Sequence, residues 1–144
     1  MAKQYTLRKK ERLKSRKLIE QLFQEGVTFS ISPYRAFYLL KKGPGAGQAS
    51  ITIMGIRIQF GVGVSGKNFK KAVDRNRIKR LTREAYRLQK SGLQEILTQK
   101  NLLLNIFFVY NGKDLPGFNL VKEKVNVILN KLIKVADENN SPDT

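Results

Sequence analysis

The chain has no cysteine and no histidine, and only 11 of its 144 residues are acidic. The first two absences together remove disulfides, thiolate- and imidazole-bound zinc, thiol nucleophiles and imidazole acid-base chemistry. The few carboxylates form no cluster in the sequence, so no catalytic residue and no metal ligand is expected on this chain. No apolar run approaches membrane-spanning length, and no apolar core of a secretory signal follows the basic N-terminus. A soluble, cytoplasmic protein with no membrane partner is expected.

What is abundant is positive charge. Lys and Arg number 28, for a net charge of +17, an excess that repels itself in the compact state unless a polyanion is the usual partner. The charge is unevenly placed. Residues 3–17 carry a net +7 and residues 67–90 a net +8, which leaves the remainder at +2. Two segments therefore hold the electrostatic function, and the rest reads as one scaffold domain: a basic, partly flexible arm over 1–12, a single domain over 13–137 and a polar tail over 138–144.

Along the chain, Leu13, Leu18, Ile19, Leu22 and Phe23 recur at helical spacing and predict a helix from about Leu13 to Glu25, closed at Gly26. Pro33 opens a strand that ends near Lys42, before the turn-forming residues 43–47. Residues 50–64 are β-prone and alternate from Ile56 onward. Gly61 and Gly63 share one face there, leaving room for close approach to the backbone. Residues 101–110 read as a buried central strand, and Pro116 precedes a last helix with Val121, Val125, Ile128, Leu132 and Val135 on one face. The expected order is α-β-β-α-β-α, with an extra strand if Gly55 divides the 50–64 stretch.

Residues 67–90 form the most informative segment. At 100° per residue, Ile78, Leu81, Ala85 and Leu88 fall in one apolar sector. Asn76, Lys79, Arg80, Arg83, Arg87 and Lys90 lie opposite. A solvated helix face mixes signs to gain i,i+4 pairs, but only Asp74 and Glu84 interrupt the cations here. Guanidinium forks suit phosphate, so nucleic acid is the indicated partner. GVGVSGK superficially matches a nucleotide phosphate loop, yet Asn68 stands where the magnesium-binding Ser or Thr belongs, which argues against nucleotide hydrolysis. No heptad zipper follows Lys90, so a DNA partner is not expected. Early aromatics, Phe23, Phe29, Tyr34, Phe37 and Tyr38, serve as core or as stacking platforms for single-stranded bases. On a strand Phe37 and Tyr38 must face opposite ways.

The run GVGVSGKNFKKAVDRNRIKRLTREAYR closely resembles the signature region of the bacterial ribonuclease P protein component. The similarity extends from LRKKERLKS at 7–15 to the final helix. It implies an α/β, or α+β, sandwich with a four-stranded sheet and a left-handed βαβ crossover, a fold shared with a ribosomal-protein domain. It implies further that a catalytic RNA subunit, using Mg²⁺ held mainly by the RNA, removes the 5′ leader of precursor tRNA. The protein would then be one subunit of a tRNA-maturing endonuclease holoenzyme. By position, Ile19, Phe23, Tyr38, Arg75, Asn76, Lys79 and Arg83 would line the leader path, while Lys67, Lys70, Lys71, Arg77, Arg80 and Arg87 would face the catalytic RNA. Ile19 takes a place that is usually aromatic, the usual two-lysine loop reads Gly66-Lys67, and residues 43–55 form a longer insertion than is typical. The alternative reading of the same basic helix is a structural or ribosomal RNA-binding protein with no part in cleavage.

Overall fold

The computed structural model describes residues 12–138 except Lys14 and residues 43–56. The first eleven residues, the 43–55 insertion, the division at Gly55 and the tail after Glu138 lie outside this description. The elements are α1 (Arg16–Glu25), β1 (Val27–Ile31), β2 (Tyr34–Lys42), β3 (Ile58–Val64), α2 (Ala72–Gln89), α3 (Ser91–Lys100), β4 (Leu102–Tyr110) and α4 (Phe118–Glu138). They build an α+β sandwich on one four-stranded sheet of order β1-β2-β4-β3, in which β4 lies antiparallel to β2 and parallel to β3.

Strand alternation sorts the side chains into two layers. Tyr34 and Ala36 of β2, Ile58, Phe60 and Val62 of β3, and the even-numbered residues of β4 are buried in one core with Ile78, Ala85 and Tyr86 of α2, Leu93 and Leu97 of α3, and the apolar stripe of α4. The Phe60 ring stacks on Tyr86 with centroids 4.0 Å apart and planes 3° from parallel. The other sheet face is covered in part by α1. Ser15 caps that helix, its Oγ accepting from Leu18 N, so the helix starts three residues later than apolar spacing alone suggests.

Two elements escape the sequence pattern. β1 is a five-residue edge strand with mostly exposed residues, too short and too wet to announce itself by alternation. α3 follows α2 with only Lys90 between them, so a single run of helix-forming residues hides a junction. That junction explains a second correction. Helical spacing puts Lys90 on the outer cationic face, but α2 stops at Gln89 and Lys90 is 2% exposed. The buried stripe of α2 is Ile78, Thr82, Ala85 and Tyr86, whereas Leu88 is exposed.

Thr82 belongs in that stripe because its hydroxyl is satisfied. Its Oγ1 donates to Ile78 O at 2.8 Å, which leaves it to accept from the Tyr34 hydroxyl at 2.7 Å. Burial pushes the Tyr34 phenol up to about 12, the Thr82 hydrogen bond opposing part of that shift. The neutral phenol is thus the form that the fold favours. Its contribution to stability is complete below pH 10 and is lost as pH rises toward 12. Tyr34→Phe is expected to cost about 1 kcal/mol at neutral pH and to reduce the fall in stability between pH 10 and 12. Urea unfolding across that range measures both.

Candidate nucleic-acid interface

On the α1 side of the sheet three phenylalanines meet. The Phe23 ring lies 4.7 Å from that of Phe37 and 5.4 Å from that of Phe107, tilted at 51° and 78°. Register explains the meeting, since Phe37 of β2 pairs with Phe107 of β4, which in turn pairs with Gly61 of β3. The glycine is required there: a Cβ on Gly61 would sit 2.7 Å from Phe107 Cδ1 and 3.0 Å from Leu13 O, and one on Gly63 would sit 3.2 Å from the same ring. The close approach expected at this glycine pair is therefore made by the Phe107 ring. Phe23 remains 45% exposed, and Ile19, one turn earlier on the same helix face, is half-buried. The result is an apolar groove with an accessible ring, suited to stacking on a base.

Residues 12 and 13 connect this groove to the cations of α2. Leu13 N donates to Phe60 O at 2.8 Å, and Arg12 forms a parallel bridge with Phe60, so the segment lies along the outer edge of β3. Arg12 thereby comes near Arg83, which is held below its usual value first by burial and then by the Arg12 charge. Asn76, Arg77 and Arg80 are exposed on α2, with Lys79 half-buried beside them.

Three expected site residues stand elsewhere. Tyr38 has the parity of Tyr34 and Ala36 and packs against the helix-layer core, its ring 6.0 Å from that of Phe29, over which Lys131 of α4 is seated. It lies on the opposite sheet face from Phe23, and the β2 ring that joins Phe23 is Phe37. Arg75 turns back on its own chain, Nη1 donating to Phe69 O and Lys70 O at 2.8 Å each. Arg87 is bound in a fork to Glu84, with Nε 3.1 Å from Oε1, and the hydrogen bond holds the Glu84 carboxyl below its usual range. Phe107 was not expected here, whereas Phe37 was expected only as a core or stacking ring and Arg12 only as part of the basic 3–17 segment. Strand parity alone separates Phe37 from Tyr38, but only the register brings Phe107 over the two glycines.

The fold and this site define a class: a strongly cationic α+β sandwich whose basic helix borders an aromatic groove. The family model for ribonuclease P matches residues 7–132. A ribonuclease P protein component from Porphyromonas gingivalis is 36% identical over 132 residues, which cover 92% of this chain and 88% of that one. The same component from Chlorobium phaeobacteroides is 28% identical, with 88% of each chain covered. Among solved structures, the RNase P protein of Thermotoga maritima superposes with a TM-score of 0.61 at 23% identity, covering 84% of this chain and 96% of that one. The Staphylococcus aureus RNase P protein gives 0.59 at 18% identity, covering 88% and 94%. The chain belongs to the bacterial ribonuclease P protein component family.

The junction between groove and arm is testable by one methyl group. Gly61→Ala must displace the Phe107 ring or the Leu13 backbone, and overpacking of this kind costs about 1–3 kcal/mol. A lower urea midpoint with an unchanged m-value is the expected result.

Proposed function

We propose that this subunit of ribonuclease P contacts the catalytic RNA through the cations of α2 and its preceding loop, and holds the single-stranded 5′ leader of precursor tRNA in the groove beneath α1. The observation that carries this reading is the continuity of the two surfaces. Phe107 rests on Gly61, Gly61 abuts Leu13, residues 12 and 13 run along β3, and the Arg12 charge reaches Arg83 of α2. In this reading a strand stacked on Phe23 continues past residues 12 and 13 toward Arg83, Asn76 and Lys79 of α2. Arg77 and Arg80, exposed on the same helix, serve the catalytic RNA in this reading.

The chemistry belongs to the RNA. The described residues do not fit a resident metal: no three carboxylates converge among them, and the surface concerned is lined with cations. Mg²⁺ held by the RNA subunit would supply nucleophile activation and leaving-group stabilisation there. The protein's contribution is differential binding. Lys and Arg lower the repulsion between two RNAs, and the groove adds affinity only for a substrate that still has its leader. No helix among the described residues is long and apolar enough to cross a membrane.

Reconstitution with the catalytic RNA at limiting Mg²⁺ tests the reading directly. Addition of the chain is expected to raise cleavage of precursor tRNA, and an unchanged rate would sink the assignment. The groove has its own test in leader-dependent binding. Phe37→Ala is expected to weaken binding of leader-bearing precursor by about 1–3 kcal/mol and to leave mature tRNA unaffected, whereas Tyr38→Ala, on the opposite face, leaves that difference intact. A structural RNA-binding protein would lose affinity for both RNAs equally.

A further inference from the structure

The loop from Ser65 to Lys71 places three cations, Lys67, Lys70 and Lys71, within five residues, all of them exposed. Among the described residues no carboxylate pairs with any of them. Like charges at this density favour an extended, fluctuating loop. This loop is instead tied down along its length. Ser65 N donates to Tyr110 O at 3.1 Å. Asn68 Nδ2 donates to Asn111 O at 3.0 Å and to Gly112 O at 3.1 Å, joining the loop to the turn after β4. Phe69 is 7% exposed, its ring 6.1 Å from that of Tyr110. Finally, Arg75 reaches back from the first turn of α2 to the carbonyls of Phe69 and Lys70.

The chemistry of these ties separates their roles. Asn68 has both amide hydrogens engaged, and its remaining oxygen is an acceptor that repels phosphate. Arg75 likewise has both hydrogens of Nη1 on backbone carbonyls. We propose that Asn68 and Arg75 are positioning residues, holding the 65–71 loop as a rigid platform that presents Lys67, Lys70 and Lys71 to RNA phosphates, and that neither side chain meets RNA itself. The proposal rests on the RNA-facing reading of this loop. The gain is preorganisation: three long side chains mounted on a fixed backbone lose less freedom on binding than three on a mobile one. Arg75, which its place in the signature puts beside the leader, acts instead through the loop that precedes it.

Two measurements on the full chain decide the matter. In the free protein, NMR order parameters of residues 66–71 are expected to fall in Asn68→Ala and in Arg75→Ala, with β4 unchanged. Unchanged order parameters would overturn the positioning role. In binding to the catalytic RNA over a salt series, both variants are expected to lose about tenfold in affinity while keeping the wild-type slope of log K against log salt. Lys70→Ala should shallow that slope by about one phosphate contact, roughly 0.7–0.9. If Arg75→Ala shallows it by the same amount, Arg75 meets phosphate and the proposal fails. Arg75→Lys adds a check that does not depend on removing charge: a positioning role leaves it as weak as Arg75→Ala, and recovery of wild-type affinity speaks for direct contact. Should Lys70→Ala leave the slope unchanged, the RNA-facing reading of the loop is what falls, and the order parameters still judge the positioning.

Discussion

β4 has a strand on each side and a packed layer on each face, and the position of everything else follows from its register. Its even-numbered residues enter the core beneath α2, α3 and α4, and its odd-numbered residues face α1. A slip of one residue would exchange the two sets. Phe108 would leave the core, and Phe107 would leave its place over the glycines of β3. The groove is thus specified by the same alternation that specifies the core. This is why an apolar, half-open surface can exist on so small a domain without a separate supporting structure.

Much of this was legible in the sequence. The central strand announced itself as an apolar run, the two glycines of β3 signalled a close neighbour, and the grouped cations of α2 marked an exposed basic face. What stayed hidden depends on contacts remote in sequence. Phe37 and Tyr38 are adjacent and chemically alike. Pairing with β1 and β4 decides which of them joins Phe23. Arg75 and Arg87 look like free phosphate ligands in a linear reading, because neither the carbonyls of Phe69 and Lys70 nor the geometry of the Glu84 fork is visible in a count of charges. Lys90 was misplaced for a different reason. Helical periodicity carries no information about where a helix ends when another begins at once.

The excess of positive charge sets the energetic context. Repulsion among 28 cations opposes compaction, and the described ion pairs relieve little of it: Arg87–Glu84 and Lys100–Asp137 both involve solvent-exposed carboxylates, and such pairs are screened by salt. Stability comes instead from the neutral interior, where Phe60 stacks on Tyr86 and the Tyr34–Thr82 hydrogen bond closes the sheet against α2. Binding a polyanion would remove the repulsion, so the folded state and the bound state reinforce each other.

The Glu84–Arg87 fork also gives α2 a polarity along its axis. At the C-terminal end one arginine is matched by a carboxylate and Lys90 is withdrawn from solvent. At the N-terminal end the helix dipole adds its own partial positive charge beside Lys70 and Lys71, with Asp74 in the first turn opposing it, and Arg77 and Arg80 are exposed further along. Exposed cations without a carboxylate partner among the described residues are therefore denser toward the start of the helix than toward its end. A polyanion approaching from a distance of about one Debye length, some 8–10 Å, would feel this asymmetry before any side chain touched it. Orientation would in this way be biased during the encounter, ahead of the contacts that later hold it.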